Sequence, residues 1–250
     1  MRFAAIADVH GNYLALEAVV ADIRAQGIDD IVNLGDMASG PLDARRTMDA
    51  LMALGAVHVL GNHDRYLIDR LPEKMGSWDR PAHAQLDVGH LDWLRAVPPK
   101  RVFRDQVLLC HATPDSDEVY WLETVLPDGT VRMASLEAIE KAAEGVTQRL
   151  ILCGHSHIAR AVRLADGRMI VNPGTSALPA IAMSIRFRMW WRPARRTPAT
   201  LSWSLSTAPG TRPSGMCPTI TTRWRHWRAA TASPNSPRRW RRDGSDSAPN

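Results

Sequence analysis

Between Arg2 and Val171 the chain alternates short apolar runs with segments whose apolar residues recur at helical spacing, and this alternation most constrains what it can fold into. Arg2 to Ala7 is a first strand. Leu14 to Ile23 reads as a helix, with Gly27 as its stop. Ile31–Leu34 is a second strand, Leu42 to Leu54 a second helix ended by Gly55, and Ala56–Leu60 a third strand. Further strands are predicted at Arg101–Phe103, Val107–Cys110, Leu150–Cys153, Ala161–Leu164 and Met169–Val171, with Asp166-Gly167 as a hairpin turn between the last two. Strands alternating with helices predict an α/β class, and the late hairpins predict a mixed sheet.

The chain has 250 residues, of which 45% are apolar, enough to bury a full core in one domain or two. No apolar stretch is long enough to span a membrane. The N-terminal apolar run is broken by Asp8 and His10 and reads as a buried strand rather than a signal peptide. Three cysteines without a CxxC pair make no disulfide framework, so the expected compartment is the reducing cytoplasm.

The net charge of +5 divides unevenly along the chain. Residues 1–180 carry 18 Lys and Arg against 24 Asp and Glu, a net of −6, while residues 181–250 carry 13 against 2, a net of +11. Six of the nine tryptophans fall in the second stretch, where strand and helix periodicity is lost and Arg, Ser, Thr and Pro dominate. Two readings meet here. One is a basic, poorly ordered tail, which the tryptophans fit badly because disordered segments are poor in aromatics. The favoured one is a shifted reading frame. Met189-Trp190-Trp191 has a unique codon sequence, and an alternative frame through it encodes Val-Val within a stretch of ordinary strand character. The body is therefore taken as residues 1–180 and the aberrant tail as residues 181–250.

Chemistry is concentrated just beyond strand ends. Asp8-Val9-His10, Gly35-Asp36, Gly61-Asn62-His63-Asp64, Cys110-His111 and Gly154-His155-Ser156-His157 each follow a predicted strand. Loops converge at the carboxyl ends of strands in α/β sheets, where a rigid sheet can hold ligands. A single Asp-x-His or a lone histidine is weak; five such clusters in order are hard to produce otherwise. The set resembles the calcineurin-like metallophosphoesterase superfamily, and is similar to its small bacterial phosphodiesterase-type members without a cap domain. Asn172-Pro173-Gly174-Thr175 looks like the NPGS turn of those members. The resemblance covers about residues 1–180 and implies two packed mixed β-sheets flanked by helices, with the normal C-terminal elements missing or replaced.

By that resemblance one metal is held by Asp8, His10, Asp36 and His157, and a second by Asp36, Asn62, His111 and His155. Carboxylate, imidazole and amide donors suit Mn²⁺, the favoured ion, or Fe, Zn²⁺ or Ni²⁺, and suit Ca²⁺ poorly. Two such ions sharing Asp36 stand about 3.5–4 Å apart, close enough to bridge a hydroxide that attacks phosphorus in line. The implied activity is hydrolysis of a phosphomonoester or phosphodiester substrate. His63 is the candidate catalytic residue, either steadying charge on the transferring phosphoryl group or protonating the leaving oxygen. Asp64 either orients His63 or, the favoured reading, caps the following helix.

His58, His83, His90, Cys110 and Cys153 read as structural, and Arg45-Arg46 as a solvated helix face. Tyr120 and Trp121 either stack on a leaving group or, the favoured reading, pack in the core or at an interface. Two other functions compete: a non-catalytic metal-binding scaffold on the same fold, as in the retromer subunit of this superfamily, and nucleic-acid binding by the basic tail. A complete ligand set with His63 speaks against the first, and the second falls with the frameshift. The motifs bind phosphoryl oxygens common to every substrate of the superfamily, so they leave the leaving group unspecified.

Overall fold

The computed structural model describes residues 1–176, so the expectations for residues 181–250 lie outside the described residues. Strands β1 (Ala4–Ile6), β2 (Ile31–Asn33) and β3 (Val57–His58) form a parallel sheet in that order, with Ala4 opposite Ile31 and Val32 opposite Val57. Parallel neighbours need crossover connections, and helices α1 (Tyr13–Ala25) and α2 (Ala44–Ala53) supply them. Each helix starts where a side chain satisfies its first free N–H groups: Asn12 accepts from Ala15 N, and Asp43 from Arg46 N. Helices α3 (Asn62–Asp69), α4 (Asp79–His83) and α5 (Val88–Ala96), with a 3₁₀ turn at Pro72–Lys74, lead out of the first sheet.

The second sheet begins with the hairpin β4 (Lys100–Phe103) and β5 (Val107–Cys110). A small hairpin, β6 (Glu123–Val125) with β7 (Val131–Met133), and helix α6 (Leu136–Ala142) then carry the chain to β8 (Leu150–Leu152). Strands β9 (Arg160–Arg163) and β10 (Met169–Asn172) complete it, giving the order β4-β5-β8-β10-β9. The β5–β8 and β8–β10 pairs are parallel, while β4–β5 and β9–β10 are antiparallel, so the sheet is mixed as predicted.

Strand alternation sorts the core into layers. Phe3, Ala5, Ala7, Val32, Leu34 and Val59 of the first sheet meet Phe103, Val107, Leu109, Leu150, Leu152 and Val171 of the second. The intervening residues face outward: Ala4 and Ile6 pack on Leu16, Val19, Ile23, Met48, Leu51 and Leu94 of the helices. Leu108, Cys110, Ile151, Cys153 and Ile170 pack under Trp121, Ile139 and Ala143. Both sheets are thus covered on both faces, which is why their inner strands read as continuous apolar runs. Every predicted strand is present with ends shifted by at most a few residues. The β6–β7 hairpin was not predicted, because Val125, Val131 and Met133 are exposed and give no buried face to read.

Candidate metal centre

The predicted ligands lie on five loops that converge at one end of the sheet pair. Asp8 and His10 follow β1, Asp36 follows β2, and Asn62 opens α3 after β3; His111 follows β5, and His155 and His157 follow β8. The first four come from the first sheet and the last three from the second, so the site straddles their seam. Five of the seven hold a left-handed backbone: Asp8 (φ 54°), His10 (49°), Asp36 (54°), His155 (68°) and His157 (59°). Such conformations cost free energy in non-glycine residues and gather at functional sites. Backbone bonds hold these loops together, with Asp8 N donating to Gly35 O and His10 N to Asp36 O at 3.0 Å. The motif glycines permit the close approach: a Cβ on Gly61 would collide with the Asp36 backbone and carboxylate, and one on Gly154 would lie 2.9 Å from Asp8 Oδ2.

Asp8, His10, Asp36 and His157 bring one ligating atom each within 4.8 Å of one another, and Asp36, His111 and His155 do the same. The two groups share Asp36. Asn62 joins the second, its Oδ1 lying 3.0 Å from His111 Nε2. His10 Nδ1 lies 2.8 Å from Ser39 O and His111 Nδ1 2.7 Å from Leu34 O. A carbonyl only accepts, so each Nδ1 donates and each Nε2 is turned into the cluster. Accordingly His10 Nε2 lies 3.0 Å from His157 Nε2, and His111 Nε2 lies 3.4 Å from Asp36 Oδ2. His155 instead donates from Nε2 to Glu118 O at 3.0 Å, which leaves Nδ1 as its ligating atom. Histidines that ligate metals are oriented in this way, one ring nitrogen fixed by an acceptor while the other faces the ion.

The electrostatics are those of a compact mixed cluster. Burial pulls His111 down, but the Asp36 charge and hydrogen bond outweigh it and carry the imidazole up to about 10. Burial pushes Asp36 up, yet His111, His10 and His63 together hold its carboxyl well below the usual carboxylate range. Burial dominates at His10 and lowers it.

His63 stands beside the cluster in a cavity of about 320 Å³ lined also by His10, Asp36, Trp78, Tyr120, His155 and His157. Its Nδ1 lies 2.6 Å from Asp79 Oδ1, and Asp79 is buried. Asp64, the sequence-based candidate for orienting His63, does something else. It accepts from Asp36 N and Met37 N at 2.8 Å and from Gly61 N at 3.0 Å, capping α3 and fastening the Asp36 loop to it. Burial first, and then the charge of Asp36, push its carboxyl up to about 7, against the pull of the Met37 and Gly61 N–H groups. The cap reading therefore holds, and the partner of His63 is a residue no motif marked. Asp79 lies sixteen positions on, outside the motif that carries His63.

Of the other candidates, His58 is buried with Nδ1 at 3.2 Å from Asn33 Nδ2, and His90 bonds Asp49 and Asp87 on α5. Cys110 and Cys153 are buried, and burial pushes the Cys110 thiol up to about 12. Arg45 pairs with Asp87 and Arg46 lies over the Tyr13 ring, both on the surface as expected. Trp121 is core, whereas Tyr120 is 39% exposed and packs its ring on His155 with centroids 4.8 Å apart. The Asn172-Pro173-Gly174-Thr175 turn braces the site: Asn172 Nδ2 donates to Gly154 O at 2.7 Å and Thr175 Oγ1 to Asp8 O at 2.7 Å.

The fold and this cluster have the arrangement expected of the calcineurin-like class, and comparison with known proteins agrees. Residues 1–187 match the family described as the calcineurin-like phosphoesterase superfamily domain. The chain belongs to that superfamily. It is 26% identical over 179 residues to the uncharacterized protein MJ0912 of Methanocaldococcus jannaschii, covering 68% of each chain. Among solved structures it is similar to a metallophosphoesterase from Sphaerobacter thermophilus (26% identity, TM-score 0.58, 72% of this chain and 78% of that one). It also shares its fold with the hypothetical protein PH1004 of Pyrococcus horikoshii OT3 (17% identity, TM-score 0.55, 70% and 76%). Among the described residues no helix is long and apolar enough to cross a membrane.

Proposed function

We propose that the chain is a metal-dependent hydrolase of phosphomonoesters or phosphodiesters that works with two divalent transition-metal ions. The observation that carries this reading is the pair of ligand groups sharing Asp36. One ion fits Asp8, His10, Asp36 and His157, and the other fits Asp36, Asn62, His111 and His155. The donor chemistry matches: carboxylate oxygen, amide oxygen and imidazole nitrogens already turned inward by their carbonyl partners favour Mn²⁺, Fe, Zn²⁺ or Ni²⁺. When bound, such ions supply Lewis-acid charge at the phosphoryl oxygens and activate water near neutral pH.

The protein's own groups do the rest. Asp79 takes the Nδ1–H of His63 and fixes the ring, leaving Nε2 as the nitrogen that meets substrate. Burial lowers His63, but the bond to Asp79 and the charge of Asp36 outweigh it and raise the imidazole. The fixed ring suits either role open to His63, donating a proton to the leaving oxygen or steadying charge on the transferring phosphoryl group. A non-catalytic scaffold has no use for a histidine positioned in this way. The test is metal analysis of the purified protein together with a panel of phosphomonoesters and phosphodiesters. Metal content near two ions per chain is expected, with activity abolished by a chelator and restored by Mn²⁺. Metal-replete protein that binds no ions, or binds them and cleaves none of the panel, would overturn the reading.

A further inference from the structure

Two aromatic side chains line the cavity without being needed to build it. Trp78 is 47% exposed and Tyr120 39% exposed, whereas the neighbouring Trp121 is buried. Trp78 packs edge-on to His10, with ring centroids 5.4 Å apart, and Tyr120 packs on His155. One ring therefore stands beside each of the two ligand groups. Neither sits on a loose tip. Trp78 O accepts from Gly40 N at 3.1 Å, and the next residue, Asp79, is tied to His63. The segment before Tyr120 is clamped by Arg65, which bonds Asp117 through Nε and Nη2 at 2.7 and 3.0 Å, and the indole N–H of Trp121 donates to Ile139 O at 3.0 Å.

Large apolar rings left facing solvent beside a cluster of charged ligands are explained neither by the core nor by metal binding. Rigid aromatics offer wide contact area at little entropy cost, and a base stacked on one gains affinity whatever its sequence. We propose that Trp78 and Tyr120 form the specificity surface of this site and that its substrate is a nucleoside phosphate, whose base stacks on them while its phosphoryl group occupies the ligand cluster. The inference rests on the phosphoesterase reading for the position of the phosphoryl group.

The test compares adenosine 5′-monophosphate with ribose 5-phosphate, which keeps the sugar and phosphate and lacks the base. Affinities are measured by calorimetry on Mn²⁺-loaded full chain carrying His63→Ala to slow turnover. Adenosine monophosphate should bind about tenfold or more tightly. Introducing Trp78→Leu together with Tyr120→Leu should reduce that ratio to about threefold or less, while Trp78→Phe and Tyr120→Phe keep most of it. Trp78→Gln replaces Trp78→Leu if the latter fails to fold. Equal affinity for the two ligands, or a preference that survives loss of both rings, would overturn the proposal. Wild-type hydrolysis of p-nitrophenyl phosphate and bis(p-nitrophenyl) phosphate tests the underlying activity separately. Cleavage of these with no base preference sinks only the nucleoside inference, and a base preference without any cleavage sinks only the activity.

Discussion

At the scale of single residues, the proposed site separates the candidate metal ligands from the candidate acid or charge stabiliser, His63. The His63 ring belongs to neither ligand group: its backbone N–H donates to Asp36 Oδ1 at 3.0 Å, while its Nδ1 is committed to Asp79. His63→Ala is therefore expected to keep both ions and lose about 10²–10⁴-fold in kcat, the range for a positioned acid or charge stabiliser. Metal analysis beside steady-state kinetics checks it, and loss of metal together with activity would make His63 a ligand. Asp79→Asn should cost about 10–100-fold with metal retained, the usual penalty for removing the partner of a functional imidazole. In the double variant the Asp79 substitution should add almost nothing, because its effect passes through His63. An additive double variant would give Asp79 a separate role. Asp36 behaves differently, since it belongs to both groups. Asp36→Asn should deplete both ions, where Asp8→Asn depletes one, and equal residual metal in the two variants would deny that Asp36 bridges.

At the scale of elements, α3 and the loop before it form one unit. Asp64 on the first turn of α3 accepts three buried backbone N–H groups from Asp36, Met37 and Gly61. Asp64→Ala leaves three donors without a partner, at about 1–3 kcal/mol each. A loss of ~3 kcal/mol or more is expected, with a fall in Tm of roughly 6–12 °C for a domain of this size. Thermal unfolding measures it, and a shift under 2 °C would show that water replaces the carboxylate. The same unit shows what the sequence made legible. Strands read correctly because both sheet faces are covered, so Val107-Leu108-Leu109-Cys110 is apolar throughout. The candidate ligands were legible as a set because each follows a strand end by short-range geometry, down to the glycines that let Asp8 and Asp36 approach. Asp79 and Trp78 stayed hidden because they reach the site through tertiary packing of the start of the short helix α4, and no period or spacing encodes that. Tyr120 and Trp121 are adjacent in sequence yet opposite in fate, because the packing of α6 takes only the second.

At the scale of the molecule, two features of assembly bear on stability. Strand β1 is buried but forms an edge of its sheet among the described residues, and the chain returns beside it where Ser176 N donates to Ala7 O at 2.9 Å. Buried sheet edges are normally covered, and the sequence of residues 181–250 carries no apolar pattern at strand or helix period. Replacing them with the alternative reading frame is expected to raise Tm without altering metal content, since every proposed ligand precedes residue 158. An unchanged or lowered Tm would show that the present segment is the native one.

The second feature is the seam itself. Asp8, His10, Asp36 and Asn62 come from the loops of one sheet, and His111, His155 and His157 from those of the other, so any ion held between them adds a tie to two layers joined by apolar packing and by polar bonds such as His111 Nδ1 to Leu34 O and Thr175 Oγ1 to Asp8 O. Metal that binds this arrangement and not the unfolded chain stabilises the fold by mass action, about 2.7 kcal/mol per site at a hundred times Kd. Five left-handed residues and a cluster of mutually close carboxylates and imidazoles cost stability in its absence. Chelation should therefore lower Tm by roughly 5–10 °C for one site at that saturation, and by more for two. Differential scanning calorimetry with and without Mn²⁺ reads the shift directly. Asp36→Asn should abolish it, and His63→Ala should leave it intact because that ring is outside both ligand groups. A metal-dependent shift that persists in Asp36→Asn would place the stabilising ion somewhere other than this seam.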